Sequence, residues 1–389
     1  QIKSKLFEKK QPLQPGLYGF QTDSDNENQY RMHLRIEEDG CGLLILNAST
    51  VLHLNQTGTE FAYHLIKQSP KEVILKSMMN RYQANYRDLA NDYDDFQIKI
   101  KTLLETPDLD PVTYLNFERH TPNVEFPFAP YRLDCALTYK TNAAAPGNYA
   151  PVERVQKELS TQEWKTILTK AWNIGIPHVV FTGGEPTLRN DLMEIITAAE
   201  NLGIVTGLYT DGILLSNKDY LGRLLLTGLD HILLSYDFNN NEILDVIKLV
   251  VDEDIHLTIH INVDHSNYNN VFAILDQLKE IGVENISLSA SDEKLDDQLI
   301  QLSEHAAQLD LNLQWDVSVP YSQNNPVSIQ VENESNYTNG AGSAWLYLEP
   351  DGDVLPSQGI PLKFGNFLED DWKILQTRSK DYFLKNFNG

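Results

Sequence analysis

The strongest candidate for chemistry is a short turn, Thr182-Gly-Gly-Glu-Pro186, which directly follows the apolar run His178-Val-Val-Phe181. Its two glycines allow the backbone to approach a ligand closely. Glu185 then presents a carboxylate at the end of a predicted strand, where it would suit an ammonium group, and Pro186 fixes the exit of the chain. The turn is also compatible with a structural role, in which Glu185 caps the next helix.

Acidic and histidine side chains near the ends of other predicted strands are further candidates for acid–base chemistry. With the glutamate of the turn, they are Glu185, Asp211, His231, Asp237 and His265. Each such residue is more often structural than catalytic. The sequence shows no His-Glu zinc spacing, no phosphate-binding loop and no Ser-His-Asp pattern. It therefore predicts no metal site and singles out no reaction.

The elements that must position these residues alternate regularly over about residues 131–318. A capping box, Ser160-Thr-Gln-Glu163, opens one helix, and Gly175 ends it. Such alternation indicates parallel strands covered by helices, and the number of strands favours a partial (β/α) TIM-type barrel, whose function lies at the carboxyl ends of the strands. The predicted strands are 133–139, 178–182, 205–209, 231–235, 257–263, 286–289 and 313–317.

The same region resembles the radical S-adenosylmethionine superfamily through several motifs in the correct order. In that family a GGEP motif after the second strand holds the amino group of the cofactor. Residues 207–212 resemble the third-strand motif, with an aspartate where asparagine is usual, and residues 228–235 resemble the fourth strand, near the cofactor ribose. If S-adenosylmethionine binds, the resemblance implies that it contacts Gly183, Gly184, Glu185, Pro186, Asp211 and Ser235.

The family's defining site is missing from this sequence. Three cysteines spaced C-x3-C-x2-C normally bind a [4Fe–4S] cluster after the first strand, because soft thiolates match iron–sulfide chemistry. Thr141, Ala145 and Asn148 occupy those positions. The chain has two cysteines, Cys41 and Cys135, and Cys135 lies six residues too early to serve as the first ligand. The sequence therefore predicts a scaffold without a cluster.

The N-terminal segment predicts a small winged-helix-like (β3α3) domain. Two strands, 31–38 and 41–47, meet at the hairpin dipeptide Asp39-Gly40, and a third run covers 51–55. Three helices follow, the second opened by Ser69-Pro-Lys-Glu72. The arrangement resembles the PqqD-like recognition element of ribosomal peptide maturation, which binds a leader peptide as an added strand. A nucleic-acid-binding winged helix and a structural cap are the alternatives.

The C-terminal segment predicts a β-hairpin at Pro350-Asp-Gly352 and a terminal helix from about residues 365–372. It resembles the SPASM extension of peptide-modifying radical enzymes. Asn339 and Ser357 stand where that extension has cysteines. The resemblance therefore implies that auxiliary clusters are absent and that this segment closes the barrel.

The charge balance limits the possible partners. The 389 residues carry a formal net charge of −24, with 31 basic and 55 acidic residues. This balance argues against a nucleic-acid partner or an anionic membrane surface. No apolar run approaches the length of a membrane span, and the first residues lack a secretion signal. A cytoplasmic protein is expected.

These features together predict an α/β protein with a PqqD-like domain and linker at 1–120, a partial barrel at 121–320 and a degenerate SPASM-like extension at 321–389. The predicted function is that of a cluster-free pseudoenzyme. It would bind a ribosomally made precursor peptide and act as a partner subunit, with a maturation enzyme as a second partner. No cofactor is expected, and any binding of S-adenosylmethionine would be weak. The alternative is an enzyme that modifies a peptide by non-radical chemistry in the barrel cavity.

Overall fold

The computed structural model describes residues 13–22, 30–47, 50–82, 84–106, 126–142, 149–290, 293–314, 317–322, 325 and 340–387. The chain divides into an N-terminal unit, residues 1–121 with 173–177, and a C-terminal unit, residues 122–172 with 178–389. Among the helices in these described ranges, none combines the length and the hydropathy needed to cross a bilayer.

The N-terminal unit contains one four-stranded antiparallel sheet and three helices. The strands lie in chain order, β1 to β4, and β1 and β4 form the edges of the sheet. The elements are β1 (Gly16–Gln21), β2 (Arg31–Ile36), β3 (Gly42–Leu46), β4 (Thr50–Leu54), α1 (Gln56–Ile66), α2 (Lys71–Tyr82) and α3 (Tyr86–Glu105).

Local sequence explains the order of these elements. Gly40, with φ at +84°, closes the β2–β3 hairpin, as its dipeptide predicts. Asn55 begins α1 by accepting a hydrogen bond from the Gly58 backbone N–H at 2.9 Å. Strand β1 was not predicted, because its sequence lacks a clear apolar alternation. The core between sheet and helices consists of Met32, Leu34, Ile36, Leu44, Leu46, Leu52, Ala62, Ile66, Ile100 and Leu103.

The C-terminal unit is built on a ten-stranded sheet, parallel from β5 to β11. The predicted α/β class with a mostly parallel sheet is confirmed. The elements are β5 (Arg132–Thr138), α4 (Thr161–Ile174), β6 (His178–Gly183), α5 (Leu192–Asn201), β7 (Val205–Thr210), α6 (Lys218–Leu225), β8 (His231–Ser235), α7 (Ile243–Val251), β9 (His256–Val263), α8 (Tyr268–Glu280), β10 (Asn285–Ala290), α9 (Asp296–Gln308) and β11 (Asn312–Leu313).

The two faces of this sheet differ in chemistry. Strands β5 to β11 follow one another in space as in sequence, and right-handed crossovers then place every connecting helix on the same face. On β9, Ile259 and Ile261 point to that face, while His260 points to the opposite one, because successive side chains alternate. The face away from the helices is called here the open face because the connecting helices do not cover it. It carries a small group of buried apolar residues on β6, β7 and β8: Val180, Tyr209 and Leu233.

The C-terminal residues extend the same sheet. Strand β12 (Trp345–Leu348) pairs in parallel with β5, and β13 (Asp353–Leu355) pairs antiparallel with β12. This confirms the predicted hairpin around Pro350-Asp-Gly352. A short strand, β14 (Gly365–Asn366), follows, and α10 (Trp372–Phe387) ends the described chain. The C-terminal segment is therefore part of the central sheet.

Candidate functional site

The turn after β6 packs directly on the backbone that follows β5. The Gly184 N–H donates to the Thr138 carbonyl at 2.8 Å, and the Glu185 N–H donates to the Lys140 carbonyl at 2.7 Å. A Cβ at Gly183 would lie 2.1 Å from the Thr138 oxygen, and one at Gly184 would lie 2.2 Å from the Lys140 oxygen. The glycines are therefore required by this strand-to-strand contact. The expectation that they serve the approach of a ligand receives no support from this packing.

The Glu185 carboxyl group is almost fully buried, with 1% of the residue exposed. Its Oε1 accepts hydrogen bonds from the Thr187 backbone N–H at 2.9 Å, the Thr187 hydroxyl at 2.5 Å and the Thr210 hydroxyl at 2.8 Å. Its Oε2 accepts from the Asp211 N–H at 2.7 Å. Burial and, to a lesser degree, the nearby Asp211 charge raise the pKa of Glu185 to about 8. Burial thus favours the neutral acid, while the donors around the two carboxyl oxygens favour the carboxylate.

Asp211 lies beside this acid, just after β7. Its Oδ1 accepts from the Ile213 N–H at 3.0 Å, and its Oδ2 accepts from Asn142 Nδ2 at 2.6 Å. Two of the predicted site residues, Glu185 and Asp211, are therefore brought together at the carboxyl ends of β6 and β7. Asn142, which sequence reasoning missed, joins them from the segment after β5.

The predicted cluster positions are only partly described. Thr141 is half-buried, and among the described residues its hydroxyl oxygen has no hydrogen-bond partner. Ser357 is half-buried after β13, where its carbonyl accepts from the Ile360 N–H at 3.3 Å. Ala145, Asn148 and Asn339 lie outside the described residues. The assignment of these five positions to lost cluster ligands stays a prediction.

A second polar group occupies the open face at β8, β9 and β10. The His260 ring lies between two hydroxyl oxygens, with Nδ1 at 3.1 Å from Ser287 Oγ and Nε2 at 3.0 Å from Ser289 Oγ. Ser235, a predicted cofactor contact, is the register partner of His260 on β8. Its Oγ is buried and has no hydrogen-bond partner among the described residues. No sequence signal pointed to His260, since its partners lie on another strand.

Three other predicted residues do not join either group. His231 is the first residue of β8, at the amino end, so its prediction at a site-forming strand end is wrong. Its Nε2 lies 2.8 Å from His178 Nε2 at the start of β6. Asp237 accepts from the Asn239 N–H at 2.9 Å within its own loop, and His265 is exposed after β9. The expected site is thus reduced to the strand ends around Glu185, Asp211 and Ser235.

Comparison with known proteins relates part of this chain to a protein family. Residues 135–290 match the model of the radical SAM superfamily. The chain contains a radical SAM domain. The match begins within β5 and ends with β10, so it covers the Glu185 turn, Asp211 and His260.

Sequence relatives and solved structures extend the comparison. The chain is 39% identical over 111 residues to the PqqA peptide cyclase of Rhodopseudomonas palustris, which covers 28% of this chain and 29% of that protein. The match thus spans less than a third of the curated relative. SuiB of Streptococcus suis bound to its precursor peptide SuiA aligns with a TM-score of 0.58 and 14% identity over 92% of this chain and 89% of that one. SuiB bound to S-adenosylmethionine aligns with a TM-score of 0.55 and 16% identity over 89% and 86%.

These findings overturn two predictions made from the sequence. The prediction of a cluster-free pseudoenzyme is wrong, because the radical SAM match and the relative named a peptide cyclase point to an enzyme. The prediction that no cofactor is expected is also wrong. The radical SAM domain implies S-adenosylmethionine and an iron–sulfur cluster.

The thiols of this chain do not fit a cluster held by three cysteines. The sequence has two cysteines. Cys135 is fully buried within β5, where burial raises the pKa of its thiol well above the usual range, and Cys41 lies in the hairpin of the N-terminal unit. A buried neutral thiol is a poor metal ligand. No step of the chemistry below is therefore assigned to a cluster.

Proposed function

We propose that the protein is an enzyme that modifies a peptide by non-radical acid–base chemistry at the carboxyl ends of β6 and β7. The observation that carries this proposal is the buried Glu185 acid, with a pKa of about 8, hydrogen-bonded to the backbone of Asp211. The names of the relatives, a peptide cyclase and a protein bound to its precursor peptide, support a peptide as the substrate. Parallel-strand folds place their chemistry at this same edge.

Glu185 would act as the proton donor and Asp211 as the proton acceptor of the proposed reaction. Before S-adenosylmethionine binds, the raised pKa of Glu185 favours its protonated form, which can give a proton to a leaving group. Asp211 is held in place by the Asn142 amide and the Ile213 N–H, which makes it a fixed acceptor. Two carboxyl groups in such different environments can supply the acid and the base of one reaction.

The same turn would hold the amino group of S-adenosylmethionine. Among the described residues, Glu185 Oε2 accepts one hydrogen bond, from the Asp211 N–H, and a carboxylate oxygen can accept a further donor. A bound ammonium group favours the ionised carboxylate, so binding would displace the proton from Glu185. Bound S-adenosylmethionine would supply a carbon activated by its sulfonium group.

The N-terminal unit would recognise the peptide in the manner of a PqqD-like element. Strand β4 is an edge of the sheet, with Leu52 in the core and Val51 48% exposed. An edge strand offers unpaired backbone groups, to which an extended peptide can add as a further strand. A separate maturation enzyme as partner, and a location in the cytoplasm, stay predictions from the sequence.

The direct test uses short peptides encoded beside the gene. The purified protein is incubated with each peptide, with and without S-adenosylmethionine, and the products are analysed by mass spectrometry. A mass change is expected, and Glu185→Ala should abolish it. Glu194→Ala is the matched control, because Glu194 lies on α5 with its side chain 61% exposed. A protein that leaves every such peptide unchanged would contradict the proposal.

Peptide recognition has its own measurement. Hydrogen exchange of the backbone amides in β4 (Thr50–Leu54) should slow when the bound peptide adds a strand there. The buried β3 (Gly42–Leu46) serves as the internal reference, since it is already paired on both sides. Unchanged exchange in β4 with a peptide that does become modified would assign recognition to another surface.

A further inference from the structure

The second polar group on the open face has the layout of a nucleophile, a base and an orienting group. Ser289 is half-buried, whereas His260 is 3% and Ser287 2% exposed. The three belong to neighbouring strands, and Ser287 is the register partner of His260. Ser289 is the penultimate residue of β10, which places it towards the carboxyl end of the sheet. The half-buried Ser289 thus lies beside a buried imidazole, which also contacts a second, buried serine.

The distances fit this order of roles. Ser289 Oγ lies 3.0 Å from His260 Nε2, and Ser287 Oγ lies 3.1 Å from His260 Nδ1. With its proton on Nδ1, the imidazole donates to Ser287 and accepts from Ser289. A nucleophile within hydrogen-bond reach of a base that a third group orients is the geometric signature of covalent catalysis.

The surroundings favour the neutral imidazole. Burial lowers the pKa of His260 to about 3, so the ring is a free base at neutral pH. The Ser289 hydroxyl has one other acceptor within reach, Asn262 Oδ1 at 3.2 Å. The shorter of its two contacts is the one to His260. With the ring proton on Nδ1, His260 Nε2 can take the proton of Ser289 when the hydroxyl turns from Asn262 to the ring.

We propose that Ser289, His260 and Ser287 form an acyl-transfer site, in which Ser289 is the nucleophile, His260 the base and Ser287 a positioning residue. The substrate class, the carbonyl group of a peptide amide or ester, rests on the function proposed above. Ser289 Oγ forms a bond to the acyl carbon, and its proton passes to His260 Nε2. The bond from that carbon to the leaving nitrogen or oxygen breaks, and the leaving atom takes the proton. Water then releases the acyl group by the same route.

A fluorophosphonate probe tests the site without knowledge of the peptide. An activated serine attacks the phosphorus, the P–F bond breaks, and a stable phosphonyl-serine remains. The full-length protein is treated with the probe at neutral pH, digested, and mapped by mass spectrometry. Labelling at Ser289 is expected, at a rate well above that of the exposed Ser216. A protein that acquires no label at Ser289 above this background would overturn the proposal.

Variants assign the roles. Ser289→Ala should abolish the label, and His260→Gln should slow it, because the ring nitrogen that accepts the proton of Ser289 is lost. Ser287→Ala should slow labelling, and Ser287→Thr, which keeps the hydroxyl, should restore it. Ser216→Ala is the control and should label as the unaltered protein does. Circular dichroism and thermal unfolding confirm that each variant is folded.

The outcomes separate this inference from the proposed function. Labelling of Ser289 that does not depend on His260 in a folded variant would refute the base role. A peptide that is modified equally by the unaltered protein and by Ser289→Ala would refute the acyl-transfer site and leave the Glu185 chemistry in place. Labelling that depends on His260, in a protein that modifies no peptide, would keep the site and refute the proposed substrate.

Discussion

Asn142 donates a hydrogen bond from its Nδ2 to Asp211 Oδ2 across 2.6 Å. This contact ties the segment after β5 to the end of β7, over the turn that carries Glu185. In the family that the chain resembles, the segment after the first strand would carry cluster cysteines. Here one of its side chains instead orients a carboxylate.

Loss of that contact should affect the reaction more than the stability. Asn142→Ala is expected to slow peptide modification by about tenfold, because a misplaced base loses its alignment with the reacting group. The free energy of unfolding should fall by about 1 kcal/mol or less, since the bond is exposed. Steady-state rates and urea unfolding measure the two effects. An equal loss in Asn201→Ala, on the exposed end of α5, would show that the effect is not specific.

The buried acid predicts how stability depends on pH. The pKa of Glu185 is about 8 in the folded protein, against an ordinary value of 4.5. Between these two values, the Glu185 carboxyl binds more protons in the folded state than in the unfolded state. Its contribution to the free energy of unfolding is therefore greatest below pH 4.5 and falls as the pH rises towards 8. The slope from this one group is about 1.4 kcal/mol per pH unit.

The matching variant should remove that slope. Glu185→Gln cannot ionise, so its unfolding free energy should lack this decline between pH 5 and 8. Its stability should be lower overall, because the new amide NH₂ would face the Asp211 N–H. Urea unfolding at several pH values, compared with the unaltered protein, provides the measurement. Parallel pH profiles for both proteins would show that Glu185 is not the group responsible.

The glycines of the turn should tolerate no side chain. Gly183→Ala and Gly184→Ala would push a methyl group against the carbonyl oxygens of Thr138 and Lys140. A loss of roughly 3 kcal/mol or more is expected for each, since backbone atoms cannot move aside as a side chain can. Gly222→Ala is the matched control. Gly222 lies in α6 with nothing within 4 Å of an added Cβ, so that change should stabilise the helix by about 0.5–1 kcal/mol. Thermal unfolding compares all three.

Binding of S-adenosylmethionine should depend on the Glu185 carboxyl. Calorimetric titration is expected to give a measurable affinity that Glu185→Gln weakens and Glu194→Gln preserves. Repeating the titration in buffers with different ionisation enthalpies should reveal about one proton released per molecule bound at neutral pH, because Glu185 must ionise. Binding without proton release would place the ammonium group elsewhere.

Local sequence signals located strands β5 to β10 of the central sheet. Gly175 was expected to end a helix, and it adopts a φ of +97° directly after α4 stops. The strand at 231–235 was predicted with the bounds the structure has, His231–Ser235. Glycine stops and apolar runs report on neighbours in the chain, which is why they locate elements reliably.

Those local signals do not predict which residues of different strands contact one another. His260 meets Ser287, 27 positions away, only because β9 and β10 pair in one particular register. His231 was proposed as a site residue although the predicted strand 231–235 begins with it, since a residue type alone does not show which edge carries the site. Asn142 was missed because amides have no distinctive spacing with the carboxylates they orient.

The parallel pairing of β12 with β5 has a consequence for synthesis on the ribosome. Strand β5 is translated well before β12. The edge of β5 that pairs with β12 therefore lacks this partner until β12 emerges from the ribosome. Until then the nascent sheet presents an open apolar strand, which invites pairing with another chain. The order of translation therefore makes β12 the step that completes the sheet, and the interval before it is the period in which a chaperone would be most needed.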